Sequence, residues 1–297
     1  MPSSNIADLS DVSETLLIPL YLRAAESKRP DALLKDEKAI ELINQIDYDF
    51  TGFKGLSFDQ VTILMRAREL DRCARAFLAQ HSGAVVVDMG CGLDTRFYRV
   101  GDQKVQWYDL DLPEVIALRR KLLPEMPRCQ FIASSVLDLR WMDLVAAEEG
   151  QPTLLLAEGV FPYLEETDVK RLVLALKARF PGAELAFDAL SPFAAWVHNL
   201  HPALKKAAAC FRWSLRDDRA LEEWSTEIRL LGVWHYFDEP EPRLGWSKLL
   251  RFFPPIGKGA RILRYRLGEA GEAAREARSN ENAGGLVSNG GAVFGLV

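Results

Sequence analysis

Cysteine is scarce: the 297 residues hold only Cys73, Cys91, Cys129 and Cys210. They lie far apart with no C-x-x-C pair, which excludes a disulfide-stapled secreted scaffold and gives no zinc spacing; reduced thiols and no metal are expected. Long hydrophobic runs are missing too, with no stretch of about 18 uncharged apolar residues. The start, MPSSNIADLSDVSETLL, lacks a basic n-region followed by an apolar one. The reading is a cytoplasmic protein without a membrane span. Basic charge is not in excess. With 37 Lys+Arg against 42 Asp+Glu the net charge is -5, the wrong sign for gripping nucleic-acid phosphates over a broad face. What remains is ordinary globular composition, 48% hydrophobic and 27% charged, enough for a sizeable core. On a prior of roughly 150 residues per domain, one large α/β domain with an embellishment fits the length.

From Val12 to about Gln80 apolar residues recur at one-face helical spacing. Ala39, Leu42, Ile43 and Ile46 mark one stretch, and Val61, Leu64, Met65, Cys73, Ala74, Phe77 and Leu78 mark another. Between them, DYDFTGFKGLS (47–57) reads as a loop. Residues 1–80 are therefore expected to form a helical N-terminal lid region. After Gly83 short apolar runs alternate with helical stretches: AVVVDM (84–89), KVQWYDL (104–110), RCQFIAS (128–134), TLLLAEGV (153–160) and AELAFDAL (183–190). That alternation predicts βαβ units and a parallel sheet covered on both faces. Residues 191–227, with Trp196, Trp213 and Trp224, are too long for a simple connection and predict a helical insertion. EIRLLGVWHYF (227–237) and ARILRYRLG (260–268) predict two last strands in antiparallel pairing. From 269 onward the sequence predicts a flexible tail.

The sharpest local feature is VVVDMGCGLDTRFYRV (85–100): an apolar strand, then Asp88, Gly90, Gly92 and Asp94, then a short helical pattern. Glycines after a first strand let a backbone approach a ligand with no Cβ in the way. The stretch runs on through Leu93, Asp94, Thr95 and Arg96 without the third glycine of a dinucleotide fingerprint, so a cofactor lacking pyrophosphate fits better. About twenty residues later stand Asp109 and Asp111, where a carboxylate would accept hydrogen bonds from two ribose hydroxyls. The alternative for Asp111 is a charge that favours the next helix start. Asp138 and Leu139 follow the third strand, where a carboxylate and an apolar side chain could read an adenine. Glu158 follows the fourth, where an acidic group complements a sulfonium or ammonium.

Taken together, AVVVDMGCGLDTRFYRV, WYDLDLPEVIALRRKLLP, SSVLDLRWM and LLLAEGVFPYLEETDVKRLV resemble the leucine carboxyl methyltransferase family in its tetracenomycin O-methyltransferase-like, polyketide-tailoring branch. VSETLLIPLYLRAAES, LLKDEKAIELI and RARELD (66–71) resemble it as well, so the likeness spans most of residues 12–190. It implies a class I Rossmann-like fold: a mostly parallel seven-stranded sheet with an antiparallel last strand over residues 81–268, binding S-adenosylmethionine. By matching position, Gly90 and Gly92 would line the amino-acid and ribose portion and Asp111 would hold the ribose hydroxyls. Asp138 and Leu139 would meet the adenine, Glu158 the methionine amino group and Arg66 its carboxylate. Two departures stand out. Glu37 replaces a common Pro, and FPYL replaces a more aliphatic run before Tyr163, near the substrate mouth.

The expected activity is methyl transfer to a carboxylate or hydroxyl of a small molecule, such as a polyketide-like product. Tyr163, Tyr21 and Arg23 are candidate acceptor contacts; the alternative for Arg23 is a salt bridge with Glu26. His198, His201 and His235 are candidate bases for a phenol acceptor, and a packing role competes for His235. Cys91 has no base partner and reads as a small buried side chain. Arg66, Arg68, Arg72 and Arg75 would ordinarily be a solvated helix face, from which motif position singles out Arg66. Competing functions are methylation of a protein C-terminal carboxylate, a nicotinamide-dependent oxidoreductase, and a non-catalytic binder of the cofactor.

Overall fold

The computed structural model describes residues 4–5, 12–53, 58–102, 104–148, 150–200, 210–239 and 241–269. The tail beyond 269 and His201 lie outside the described residues. In Val85–Met89 (β1) every side chain is buried, the mark of a central strand covered on both faces. Six more strands join it: Gln106–Asp111 (β2), Cys129–Ala133 (β3), Thr153–Ala157 (β4), Ala183–Leu190 (β5), Ile228–His235 (β6) and Ala260–Leu267 (β7). Their order is β3-β2-β1-β4-β5-β7-β6. β1 to β5 run parallel, and β7 is antiparallel to both β5 and β6.

This is the expected class I sheet, with one feature the sequence did not indicate: the last strand lies between β5 and β6 rather than at the edge. Burial explains it. Ile262, Leu263, Tyr265 and Leu267 of β7 are buried, whereas β6 after Ile228 is half-exposed or exposed and carries a register shift between Leu230 and Gly232. A broken, half-polar strand suits a sheet edge, because it resists pairing with another chain. The order reverses between β1 and β4, so the loops leaving these strands part and open a crevice at their carboxyl ends.

Alternate strand residues feed two apolar layers. Val86, Trp107, Leu154, Leu156 and Ala186 pack beneath Val12–Ser27 (α1), Glu37–Ile43 (α2), Phe58–Gln80 (α3), Arg96–Val100 (α4) and Pro113–Leu122 (α5). Val85, Val87, Leu155, Leu185, Phe187 and Tyr265 pack against Glu166–Arg179 (α6), Trp141 and Trp213. Pro113 occupies the first turn of α5, where its missing N–H costs nothing. Gly182 (φ 84°) ends the connection after α6 in the left-handed region.

Of the stretch 191–227, the described residues are helical over Pro192–Asn199 (α7) and in a single turn at Ala220–Glu223. Between them Arg212 and Trp213 donate their backbone N–H groups to Pro162 O, and Leu215 donates to Leu190 O. Buried Trp213 and Leu215 thus tie this segment to the sheet as irregular chain. Among the described residues no helix is long and apolar enough to cross a membrane.

Candidate active site

Gly90 (φ 69°) and Gly92 (φ 51°) both adopt the left-handed region that favours glycine. The N–H groups of Gly90 and Cys91 donate to Leu110 O at 2.7 and 3.1 Å, folding the turn back over β2. A Cβ on Gly90 would lie 2.3 Å from Val160 Cγ2, so the loop after β4 packs closely on this glycine. At Gly92 a Cβ would reach Leu16 Cδ2 at 3.0 Å, which places α1 directly over the turn.

Asp111 is brought to this turn. Its Oδ2 accepts from Gly92 N at 2.7 Å and its Oδ1 from Leu112 N at 2.7 Å. Burial pushes its carboxyl above the ordinary range, opposed by those two N–H groups. The half-exposed carboxylate is aimed at the crevice rim with lone pairs to spare. Asp109 is structural: buried, it accepts from Trp107 Nε1 at 2.9 Å and pairs with Arg119. Asp138 caps the turn Leu139–Leu144 and pairs with exposed Arg140, while Leu139 packs against the core. The structure does not join Asp138 to the glycine turn.

Beneath the turn lies a lattice of buried ions. Asp88 is the one charge inside β1, and an unpaired buried charge would cost several kcal/mol. Arg96, 1% exposed, answers it: it contacts Asp71 at 2.9 Å, Asp88 at 3.1 Å, Asp94 at 3.0 Å, and Glu158. Arg99 holds Asp36 at 2.7 Å, Asp71 at 2.8 Å and Asp94 at 2.7 Å. Arg66 pairs with Glu158 at 2.9 Å and Asp188 at 3.2 Å. Arg66 and Glu158 are therefore neighbours, as their expected roles require. Burial raises the Asp88 and Asp188 carboxyls, whereas Arg96 and Arg99 hold Asp94 well below the usual range against its burial.

Arg23 requires correction on both counts. It is buried, bonding Asp36 at 3.0 Å and Leu93 O at 3.0 Å, so it anchors α1 to the glycine loop rather than facing an acceptor. Nor does it pair with Glu26, which accepts from Arg243 at 2.7 Å and Leu33 N at 2.5 Å. Helical spacing put Arg23 beside Glu26, but burial drew it to the richer cluster of carboxylates. Tyr21 stacks on Phe50 with ring centroids 5.4 Å apart. Tyr163, 38% exposed, packs on Phe211 at 5.0 Å on the crevice side. His198 lies 5.6 Å from Phe211, and His235 sits 3.4 Å from Asp238. Burial pushes the Cys91 thiol up, so it is no nucleophile. Arg68 and Arg72 both pair with Glu239.

Sequence reasoning missed Asp36, Asp71, Asp188, Tyr236 and the hub role of Arg96. A charge inside an otherwise apolar strand, as in VVVDM and AELAFDAL, was the available signal.

The residues fit an S-adenosyl nucleoside. A carboxylate fixed by backbone amides, Asp111, follows β2, and an acid–base pair, Glu158 with Arg66, follows β4. Around them Arg23, Arg66, Arg96 and Arg99 face Asp36, Asp71, Asp88, Asp94, Glu158 and Asp188, an acidic excess that complements a cationic ligand. Fold and site define a class I S-adenosylmethionine-dependent methyltransferase. The leucine carboxyl methyltransferase profile matches residues 17–177. The tetracenomycin polyketide synthesis O-methyltransferase TcmP of Streptomyces glaucescens is 35% identical over 264 residues, 86% of this chain and 97% of the relative. An S-adenosyl-L-methionine-dependent methyltransferase of Gibberella zeae, dpfgK, is 29% identical over 235 residues, 72% of this chain and 78% of its own. A DUF574 family crystal structure from Streptomyces avermitilis shares the fold at a TM-score of 0.58 with 15% identity, covering 86% of this chain and 99% of that one. The chain belongs to the leucine carboxyl methyltransferase family. Its cofactor is S-adenosylmethionine, and the oxidoreductase alternative is set aside.

Proposed function

We propose that this methyltransferase transfers the methyl group to an oxygen of a small-molecule acceptor, a carboxylate or hydroxyl such as a polyketide-like compound presents. The observation that carries the reading is that Arg66, paired with Glu158 at 2.9 Å, also lies within electrostatic reach of Tyr163, a half-open ring packed on Phe211. The 35% identity to a polyketide O-methyltransferase supports it. A cytoplasmic setting belongs to the same reading, supported by the buried free thiols of Cys73, Cys91 and Cys129.

When bound, the cofactor supplies an electrophilic methyl group on a cationic sulfonium. The chain's own residues bind, orient and exclude water. Gly90 and Gly92 shape the turn, Asp111 takes the ribose hydroxyls, and Asp138 with Leu139 meets the adenine. Glu158 takes the amino group and Arg66 the carboxylate. α1, whose Leu16 lies against Gly92, closes one side. A dry, aligned site favours the reaction because water stabilises the separated charges of donor and acceptor. A carboxylate acceptor is already ionised at neutral pH, whereas a hydroxyl needs a base. His198, joined to Tyr163 through Phe211, is the candidate for that task.

A mass-spectrometric screen of aromatic acids, phenols and C-terminal peptides with labelled cofactor tests this. A gain of one methyl group on a small molecule is expected. Methylation of peptides alone would replace this reading with the protein-directed one.

A further inference from the structure

Two side chains that no motif singled out converge on Arg66 from below. Asp188, on β5 and 5% exposed, accepts from Arg66 Nη1 with Oδ2 at 3.2 Å and from Gly159 N with Oδ1 at 2.5 Å. Tyr236, buried just past β6, sets its hydroxyl beside the same guanidinium. A Cβ on Gly159 (φ 66°) would come 3.4 Å from Arg66 Nη2, so the loop after β4 packs directly on it. Glu158 is held differently at its two oxygens: Oε2 by buried Arg96, Oε1 by Arg66 Nε at 2.9 Å.

Arg66 thus has two kinds of partner. Asp188 and Tyr236 are buried and belong to the sheet, while Glu158 borders the crevice. If Glu158 and Arg66 are each to receive one end of an amino-acid zwitterion, the contact between them is the one that must yield. A freed arginine side chain regains its rotamer entropy and would swing away unless something else held it. We propose that Asp188 and Tyr236 are positioning residues: a bracket that keeps Arg66 aimed at the crevice while its Glu158 contact gives way to the amino-acid end of the cofactor. Because Asp188 also grips Gly159 N, the bracket fixes Arg66 and the Glu158 loop in one frame. The proposal rests on the reading that Arg66 meets the methionine carboxylate.

Calorimetric titration with two probes tests it: S-adenosylhomocysteine, and 5′-methylthioadenosine, which lacks the amino-acid end. Asp188→Asn should weaken S-adenosylhomocysteine binding about tenfold and Tyr236→Phe about threefold, with methylthioadenosine binding kept within about twofold. A role confined to stability would weaken both probes alike, and that result overturns the bracket. Unchanged S-adenosylhomocysteine binding in the variants overturns it as well. Tyr236→Phe removes only a hydroxyl and keeps the test standing should Asp188→Asn fail to fold. Arg66→Ala tells the failures apart. If it too binds S-adenosylhomocysteine normally, the reading of Arg66 falls; if it alone loses the probe, only the bracket does.

Discussion

On the cofactor side of the crevice Arg96, Arg99 and Arg66 are locked among buried carboxylates. Around α7 and Tyr163, by contrast, the rings stand open: Tyr163 is 38% exposed, Phe193 38%, Trp196 59% and Phe253 52%. Phe193 touches Trp196 at 6.0 Å and Phe253 at 6.4 Å, ring to ring, with no ion pair between them. A buried charge tolerates little displacement, since each carboxylate must keep its partner. An exposed ring loses little when its neighbour changes. The first side is over-determined and suits an invariant cofactor; the second is free to vary and suits an acceptor that differs from enzyme to enzyme.

The largest break in that contrast should come from Arg96→Ala, which leaves Asp88 without its partner and takes one partner each from Asp71, Asp94 and Glu158. It is expected to cost about 3–5 kcal/mol or to prevent folding. Urea denaturation measures this, and a loss under about 1 kcal/mol would mean the lattice is not rigid. Gly90→Val, which meets Val160 and a left-handed φ, should cost about 2–4 kcal/mol of stability whether or not cofactor is present. Its melting temperature decides; a fully stable variant that only lost cofactor would show that the approach of the ligand, and not Val160, requires glycine. Asp111→Ala should weaken cofactor binding by about 1–3 kcal/mol. S-adenosylhomocysteine and methylthioadenosine should suffer alike, since both carry the ribose; unchanged titrations would remove the ribose assignment.

A gentler probe is pH. Burial pushes the Asp88 carboxyl from 3.8 up to about 8. A carboxyl raised by folding contributes stability that is full below its unfolded pKa and is lost as pH rises through the folded one. Asp88→Asn cannot ionise, so it should gain stability relative to the native chain between about pH 5 and pH 9. Denaturation curves at both pH values check this, and a constant gap would show Asp88 charged throughout. The smallest effect belongs to the open side. Trp196→Ala should change stability by no more than about 0.5 kcal/mol and leave cofactor affinity intact, while raising KM for an aromatic acceptor. If it destabilised the fold as Arg96→Ala does, the two sides would not differ in kind.

The central strands were legible because both faces of each are buried: AELAFDAL is β5 end to end, and VVVDM is β1. α3 ends at Gln80, where its apolar stripe ends. Asp111, Glu158 and Arg66 could be singled out because they stand at strand ends or in an ordered motif. Arg23 was misplaced because helical spacing reports neighbours along a helix, whereas its partner Asp36 lies beyond the next turn of chain. Asp188 and Tyr236 were missed because what makes them matter is Arg66, which is 122 residues from Asp188 in sequence.

The sequence alone determined the alternation of strands and helices, the glycine turn at Gly90 and Gly92, and the acidic side chains at the carboxyl ends of the strands. These are properties of local chemistry and periodicity. Only the tertiary structure decided that β7 inserts beside β5, that Val160 packs against Gly90, and which carboxylate each arginine takes. Those choices depend on distances between segments remote in sequence, and the cost of burying an unpaired charge selects among them.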